Sequence, residues 1–160
     1  MQVEIGKEHE WLQQLVGDWT ADMTCSMGPD QPPSETKGTE AVRSLGGVWT
    51  LGDGQGECPD GTPVTSLMTL GFDPAKGRFV GSFIASMMTM IWHYDGALSA
   101  DGKSLVLDTE GPSMAGDGSM AKYQDTITFL SPDHRTLTSR ALGPDGQWNE
   151  FMTAHYRRRA

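Results

Sequence analysis

One stretch of the chain concentrates the side chains with the most chemical character. It reads SFIASMMTMIWHYDG, from Ser82 to Gly96, and it holds three methionines, three aromatic rings and His93 beside a single charged residue. Thioether and aromatic groups line apolar ligand pockets, but they also fill ordinary cores. The stretch therefore has two interpretations, a pocket wall or a packed core, and the choice depends on which of its residues point the same way.

The common catalytic and metal-binding patterns do not occur in the sequence. No two of the four histidines have the spacing that places both on one face of one element, as a metal site needs. No Gly-x-Ser-x-Gly motif occurs, and GDGQG at residues 52–56 lacks the lysine and the strand–loop–helix setting of a phosphate-binding loop. We predict no metal and no cofactor, and a binding protein rather than an enzyme.

Composition and charge narrow the class of protein. The 160 residues suit one domain over 1–160, and a formal net charge of -9 repels polyanions, so we expect no nucleic-acid partner. No apolar run reaches the length of a membrane span and no leader is evident, so we expect a cytoplasmic protein. In that reducing compartment Cys25 and Cys58 are expected to be thiols.

A short helix and a long series of strands must position the candidate residues. Apolar residues recur at helical spacing between Glu8 and Val16, which predicts a helix over about residues 7–16 that Gly17 ends. After Gly17 the period changes to two, and turn signals, including six Asp-Gly pairs, separate the alternating runs. About ten strands are predicted, near residues 18–26, 36–45, 48–57, 63–73, 78–85, 88–95, 104–110, 120–130, 136–142 and 147–158.

These elements predict an all-β fold. The links between runs are short and contain no helix, so the strands are expected to be antiparallel, and closing them into a barrel removes the exposed edges. We therefore predict an antiparallel up-and-down barrel of about ten strands over about residues 17–158, with one short N-terminal helix.

Two sets of motifs resemble known families. LVGDWT, which contains Gly17 and Trp19, resembles the Gly-x-Trp opening of the calycins, the group of lipocalins and fatty-acid-binding proteins. Nearly the whole chain is similar to the bacterial domain-of-unknown-function family 1579. The corresponding positions are Ser86, Met87, Thr89, Gly96, Asp101–Lys103, Pro144–Gly146, Tyr156 and Arg158.

The resemblance implies a calycin-like barrel in a bacterial protein and says little about activity. It implies that Trp19 packs beneath Arg158, a contact suited to a guanidinium, and closes one end of the barrel. Some calycin-like barrels bind haem through a histidine, so haem stays open as an alternative to a barrel without cofactor.

Alternation decides which side chains enter the barrel, because successive residues of a barrel strand face opposite sides. With Arg158 inward, Tyr156, Met152 and Glu150 are inward too, while His155 and, on the sixth strand, His93 turn outward, and His134 falls in a turn. The predicted ligand-binding wall consists of Met88, Met90, Trp92, Tyr94, Tyr123, Asp125, Glu150, Met152 and Tyr156.

The two carboxylates on this wall, Asp125 and Glu150, have a structural and a functional interpretation. Inside a barrel each needs a partner or a bulge that returns it to water, or else it orients a ligand. With Arg158 occupied by Trp19, a ligand carboxylate has no counter-ion, so we predict a small apolar ligand that is neutral or weakly basic.

Two alternatives remain open. The first is an enzyme that uses Asp125 and Glu150 as acid–base groups. The second is a homodimeric interaction module with a filled core and an outer apolar patch that includes Ile91 and Phe151.

Overall fold

The structure is a computed structural model, and it describes residues 1–26, 28 and 30–159. Ten antiparallel strands form a closed barrel in which each strand pairs with its neighbours in sequence and β1 pairs with β10. This confirms the predicted all-β barrel with one short N-terminal helix. The elements are α1 (Lys7–Gln13), β1 (Gly17–Cys25), β2 (Ser34–Leu45), β3 (Trp49–Glu57), β4 (Pro63–Asp73), β5 (Arg78–Ala85), β6 (Trp92–Leu98), β7 (Ser104–Pro112), β8 (Met120–Ser131), β9 (His134–Leu142) and β10 (Trp148–Arg158).

The Asp-Gly pairs divide between turns and strands. Four of the glycines, Gly61, Gly102, Gly118 and Gly146, lie in connections with positive φ. The other two pairs lie inside β3 and β6, so a turn signal was misleading there. In β6 the glycine is needed for close packing, because a Cβ on Gly96 would lie 2.4 Å from the Val106 carbonyl oxygen.

The helix covers one end of the barrel. Its Leu12 is fully buried, and the indole N–H of Trp11 donates to the Gly102 carbonyl across 2.7 Å. His9, which is also buried, has its Nε2 atom 3.1 Å from the Phe72 carbonyl oxygen. Because α1 contacts both the β4–β5 side and the β6–β7 side, it covers this end of the barrel.

Candidate functional site

The barrel interior consists of two halves that differ in solvent access. We call the half beside α1 the filled half; its inward residues include Leu12, Trp19, Leu105, Leu107 and Ile127, none more than 1% exposed. We call the other the open half; its inward residues Met23, Phe83, Trp92 and Met152 are only partly buried. Because these side chains face inward by strand register, their exposure means that solvent reaches the interior from the end opposite the helix.

The polar centre of the open half is Asp125 on β8. The Tyr94 hydroxyl on β6 donates to its Oδ2 across 2.5 Å, and the Ser139 hydroxyl on β9 donates to its Oδ1 across 2.6 Å. β6, β8 and β9 hold the three residues at one level, since Asp125 lies opposite Ser139 in the β8–β9 register. Asp125 points inward as predicted, and each of its oxygens accepts one hydrogen bond from a neutral hydroxyl.

Burial changes the acidity of both partners in this centre. Desolvation raises the pKa of Asp125, and the hydrogen bonds from Ser139 and Tyr94 oppose that rise. Desolvation also raises the pKa of Tyr94 well above its usual value, with a further rise from the neighbouring Asp125 charge. Tyr94 therefore stays a donor at neutral pH, while the Asp125 carboxylate is less stable than one in water.

Aromatic rings surround the mouth of the open half. Trp92 and Tyr123 meet edge to face with ring centroids 5.2 Å apart, and the Tyr123 hydroxyl donates to the Pro112 carbonyl across 2.5 Å. The Trp92 indole N–H points to the Met88 sulfur at 3.0 Å. Met88 and Met90 are half-buried, but they lie in the β5–β6 connection because β6 begins only at Trp92, so the prediction that they belong to a strand was wrong.

Glu150 is not part of this site. A bulge between Glu150 and Met152 shifts the β9–β10 register and changes which residues face inward. Glu150 is consequently exposed, where its Oε1 accepts a hydrogen bond from Thr153. The predicted inward orientation of Glu150 was wrong, and the Asp125–Glu150 pair does not form.

The same bulge changes the role of Phe151. Its ring packs edge to face against Tyr123 at 6.1 Å, so the expectation that Phe151 joins an outer apolar patch was wrong. Ile91, the other residue of that expected patch, is 47% exposed.

The filled half contains a second polar centre that alternation along β9 implied and that our sequence reading missed. Arg135 is 3% exposed and pairs with Glu40, and its guanidinium lies 4.5 Å from the Trp19 ring and 4.1 Å from the Tyr156 ring. Leu137 predicts the inward face of β9, and Arg135 and Ser139 share that face. The turn signal SPDH directly before Arg135 obscured the strand's true start at His134.

Trp19 and Arg158 meet as the family resemblance implied. The Arg158 guanidinium lies 4.2 Å from the Trp19 ring and donates to the carbonyls of Gln14 and Val16 across 3.0 and 2.7 Å. Gly17 has φ 138, and a Cβ there would lie 2.4 Å from the Arg158 Nη1 atom. The Gly-x-Trp segment thus makes room for the guanidinium that covers the Trp19 indole.

The filled half has little free space. A small void of about 20 Å³ lies beside Arg135, Glu40 and Thr50, and the Arg135 Nε–H has no hydrogen-bond partner among the described residues. That volume suits about one water molecule. Tyr156, predicted to line the ligand cavity, is buried beneath Arg135 at the border of this half, and burial raises its pKa far above the usual range.

The histidines and cysteines lie apart from the open half's polar centre. His93 is exposed, and His134, which begins β9 and does not sit in a turn as expected, has Nε2 2.9 Å from His155 Nδ1. Cys25 and Cys58 are free thiols. Within residues 1–26, 28 and 30–159, no three His, Cys, Asp or Glu side chains are arranged to hold a metal ion.

Two further residues of the open half were not predicted from the sequence. Neither Ser139 nor Thr109 belongs to the predicted ligand-binding wall. Thr109 continues the inward alternation of Leu105 and Leu107, so periodicity alone would have placed it inside. Its buried hydroxyl has no hydrogen-bond partner.

Comparison with known proteins identifies the family. Residues 4–158 match the family described as Protein of unknown function (DUF1579). The chain belongs to the DUF1579 family. No curated protein matches the sequence closely enough to count as a relative.

Solved structures share the fold of this DUF1579 protein at low identity. Rv2717c from M. tuberculosis is 15% identical with a TM-score of 0.68, over 98% of this chain and 100% of that one. The S-type phycobiliprotein lyase CPES from Guillardia theta is 14% identical with a TM-score of 0.60, over 95% and 92%. EF1p2_mFAP2b bound to DFHBI is 17% identical with a TM-score of 0.52, over 96% and 100%.

These likenesses show the barrel fold alone. Among the described residues, no helix has both the length and the apolar character needed to cross a membrane.

Proposed function

We propose that this protein binds a small apolar molecule, neutral or weakly basic, in the open half of its barrel. The observation that carries the proposal is the partly exposed inner wall of Met23, Trp92 and Met152 together with the polar centre at Asp125. Ligand sites are concave and mostly apolar, with a few placed polar groups that fix orientation.

Two further points support the proposal. A similar barrel, EF1p2_mFAP2b, is bound to the small molecule DFHBI, so a barrel of this kind has room for a ligand. The contrast with the filled half also supports it, because side chains of a finished core would be as buried as Leu105 and Leu107.

The proposal is tested by ligand binding to the purified protein and to two size variants. A panel of lipophilic compounds is screened by thermal shift and by native mass spectrometry, since binding only to the folded form raises its stability. Met152→Trp should fill the open half and abolish binding while the fold is kept. Leu130→Trp, at a position 58% exposed on β8, is the matched control and should bind normally.

Two results would overturn the proposal. One is that no compound in the panel shifts the unfolding temperature or is retained. The other is that Met152→Trp binds as well as the parent protein.

A second candidate function is acid–base catalysis inside the barrel. The short hydrogen bond between Tyr94 and Asp125 favours it, because the pKa values of both groups are raised. It would use Asp125 and Tyr94 without Glu150. It predicts that Asp125→Asn keeps the fold and the bound ligand but loses turnover of that ligand, as followed by mass spectrometry of the products.

A further inference from the structure

We propose that the ligand of the open half carries a cationic amine that pairs with Asp125. This inference rests on the proposed function and adds the chemical class of the ligand. Four features support it: the missing counter-ion of Asp125, its free acceptor positions, the rings beside it and the unpartnered hydroxyl of Thr109.

Asp125 has no cationic partner among the described residues. The interior guanidinium of Arg135 is taken by Glu40 and by two aromatic rings. Arg140 on β9 turns outward, where both its Nε and Nη2 atoms donate to Gln124. A carboxylate away from water is costly without a charge partner, so this one is left for a ligand to complete.

The carboxylate also has unused hydrogen-bonding capacity. Each Asp125 oxygen accepts one hydrogen bond from a neutral hydroxyl, whereas an ionised carboxylate has about four acceptor positions. Asp125 is intermediate in exposure, so it is less enclosed than its hydroxyl partners Tyr94 and Ser139. An ammonium N–H would fill a free position and form a charge-assisted hydrogen bond.

Aromatic rings stand on the inward positions that flank the carboxylate. Tyr123 is two residues away on the same face of β8, Tyr94 contacts Asp125 directly, and Trp92 packs against Tyr123. Ring faces are electron-rich and attract cations, and the effect grows where water is excluded. An aromatic wall with one carboxylate is the arrangement that recognises an amine attached to an apolar body.

Thr109 supplies a second polar contact. In the β7–β8 register Thr109 pairs with Tyr123 and Leu107 pairs with Asp125, so Thr109 lies diagonally beside the carboxylate on the same inner face. Its buried hydroxyl has no hydrogen-bond partner among the described residues, so a bound ligand that displaces the side chains covering it would gain an acceptor for an ammonium N–H. The net charge of -9 further favours approach of a cation over that of an anion.

Three probes of one shape test the inference: 1-naphthylmethylamine, 1-naphthalenemethanol and 1-naphthoate. Dissociation constants are measured at pH 7 by calorimetry. The amine should bind at least about tenfold more tightly than the alcohol, and the acid most weakly. Asp125→Asn should remove the preference, so that the amine binds no more tightly than the alcohol. Asp53→Asn, which removes an exposed carboxylate on β3, should preserve the preference.

The outcomes separate this inference from the proposed function. Equal affinity for amine and alcohol, or tightest binding of the acid, overturns the amine and keeps the cavity. Absence of binding by all three probes and by the lipophilic panel overturns the cavity itself. If Asp125→Asn fails to fold, the ratio of amine to alcohol affinity in the parent protein still decides.

Discussion

The two halves of the barrel are built from the same strands, yet their interiors differ in solvent exposure and in how their charged groups are paired. In the filled half an indole, two guanidiniums and leucines exclude solvent, and the charged Arg135 meets Glu40. In the open half methionines and aromatics keep partial exposure, and the charged Asp125 meets only neutral hydroxyls. One half thus pairs its buried charges within the protein, whereas Asp125 in the other half has no cationic partner among the described residues.

The largest expected effect is on stability, when a tryptophan is replaced by alanine in each half. Trp19→Ala should lower the free energy of unfolding by about 3–5 kcal/mol, because it empties a fully buried, closely packed position. Trp92→Ala should cost less than half as much, because that side chain is already partly exposed. Urea unfolding measures both, and equal costs would contradict the division into two halves.

A second test concerns the ion pair of the filled half. Arg135→Met should cost about 3 kcal/mol, because it leaves the largely buried Glu40 carboxylate without its partner. The double variant with Glu40→Gln should cost less than the sum of the two single changes. Lys37→Met, which breaks the exposed pair with Asp22, is the control and should have almost no effect. Additive costs at Arg135 and Glu40 would mean that the pair does not act as a unit.

The smallest expected effect is a pH dependence of the open half. The pKa of Asp125 is raised in the folded protein, so between the unfolded value of about 3.9 and the folded value the native state binds more protons. The stability of the parent protein relative to Asp125→Asn should therefore fall as pH rises through that window, by about 1.4 kcal/mol per unit of separation between the two pKa values. Urea titrations from pH 4 to 8 measure this difference in the free energy of unfolding. A difference that stays constant or rises with pH would contradict a raised pKa of Asp125 in the folded protein.

Periodicity predicted most of the fold. The alternation after Gly17 and the short links indicated the barrel, and the inward sets around Trp19, Leu105 and Leu107 are the core that forms. The predictions were wrong where one local sequence pattern occurs in two kinds of structure. Asp-Gly marks a turn at Gly102 but close packing at Gly96.

The candidate site was predicted less completely than the fold. Asp125, Trp92 and Tyr94 were placed correctly by parity, whereas Glu150 was not, because one bulge reverses every later inference along a strand. Arg135 was missed beside a turn signal.

The sequence by itself determined the number of strands, the covering helix and the inward position of Asp125, because alternation is a property of each strand alone. Only the tertiary structure decided which partners those inward groups meet. Whether Asp125 finds a cation or two hydroxyls depends on the registers of β6, β8 and β9, residues 92–98, 120–131 and 134–142. Likewise, only the tertiary structure shows how the stretch from Ser82 to Gly96 is divided. It comprises the end of β5, a connection that carries methionines, and part of the wall of the open half.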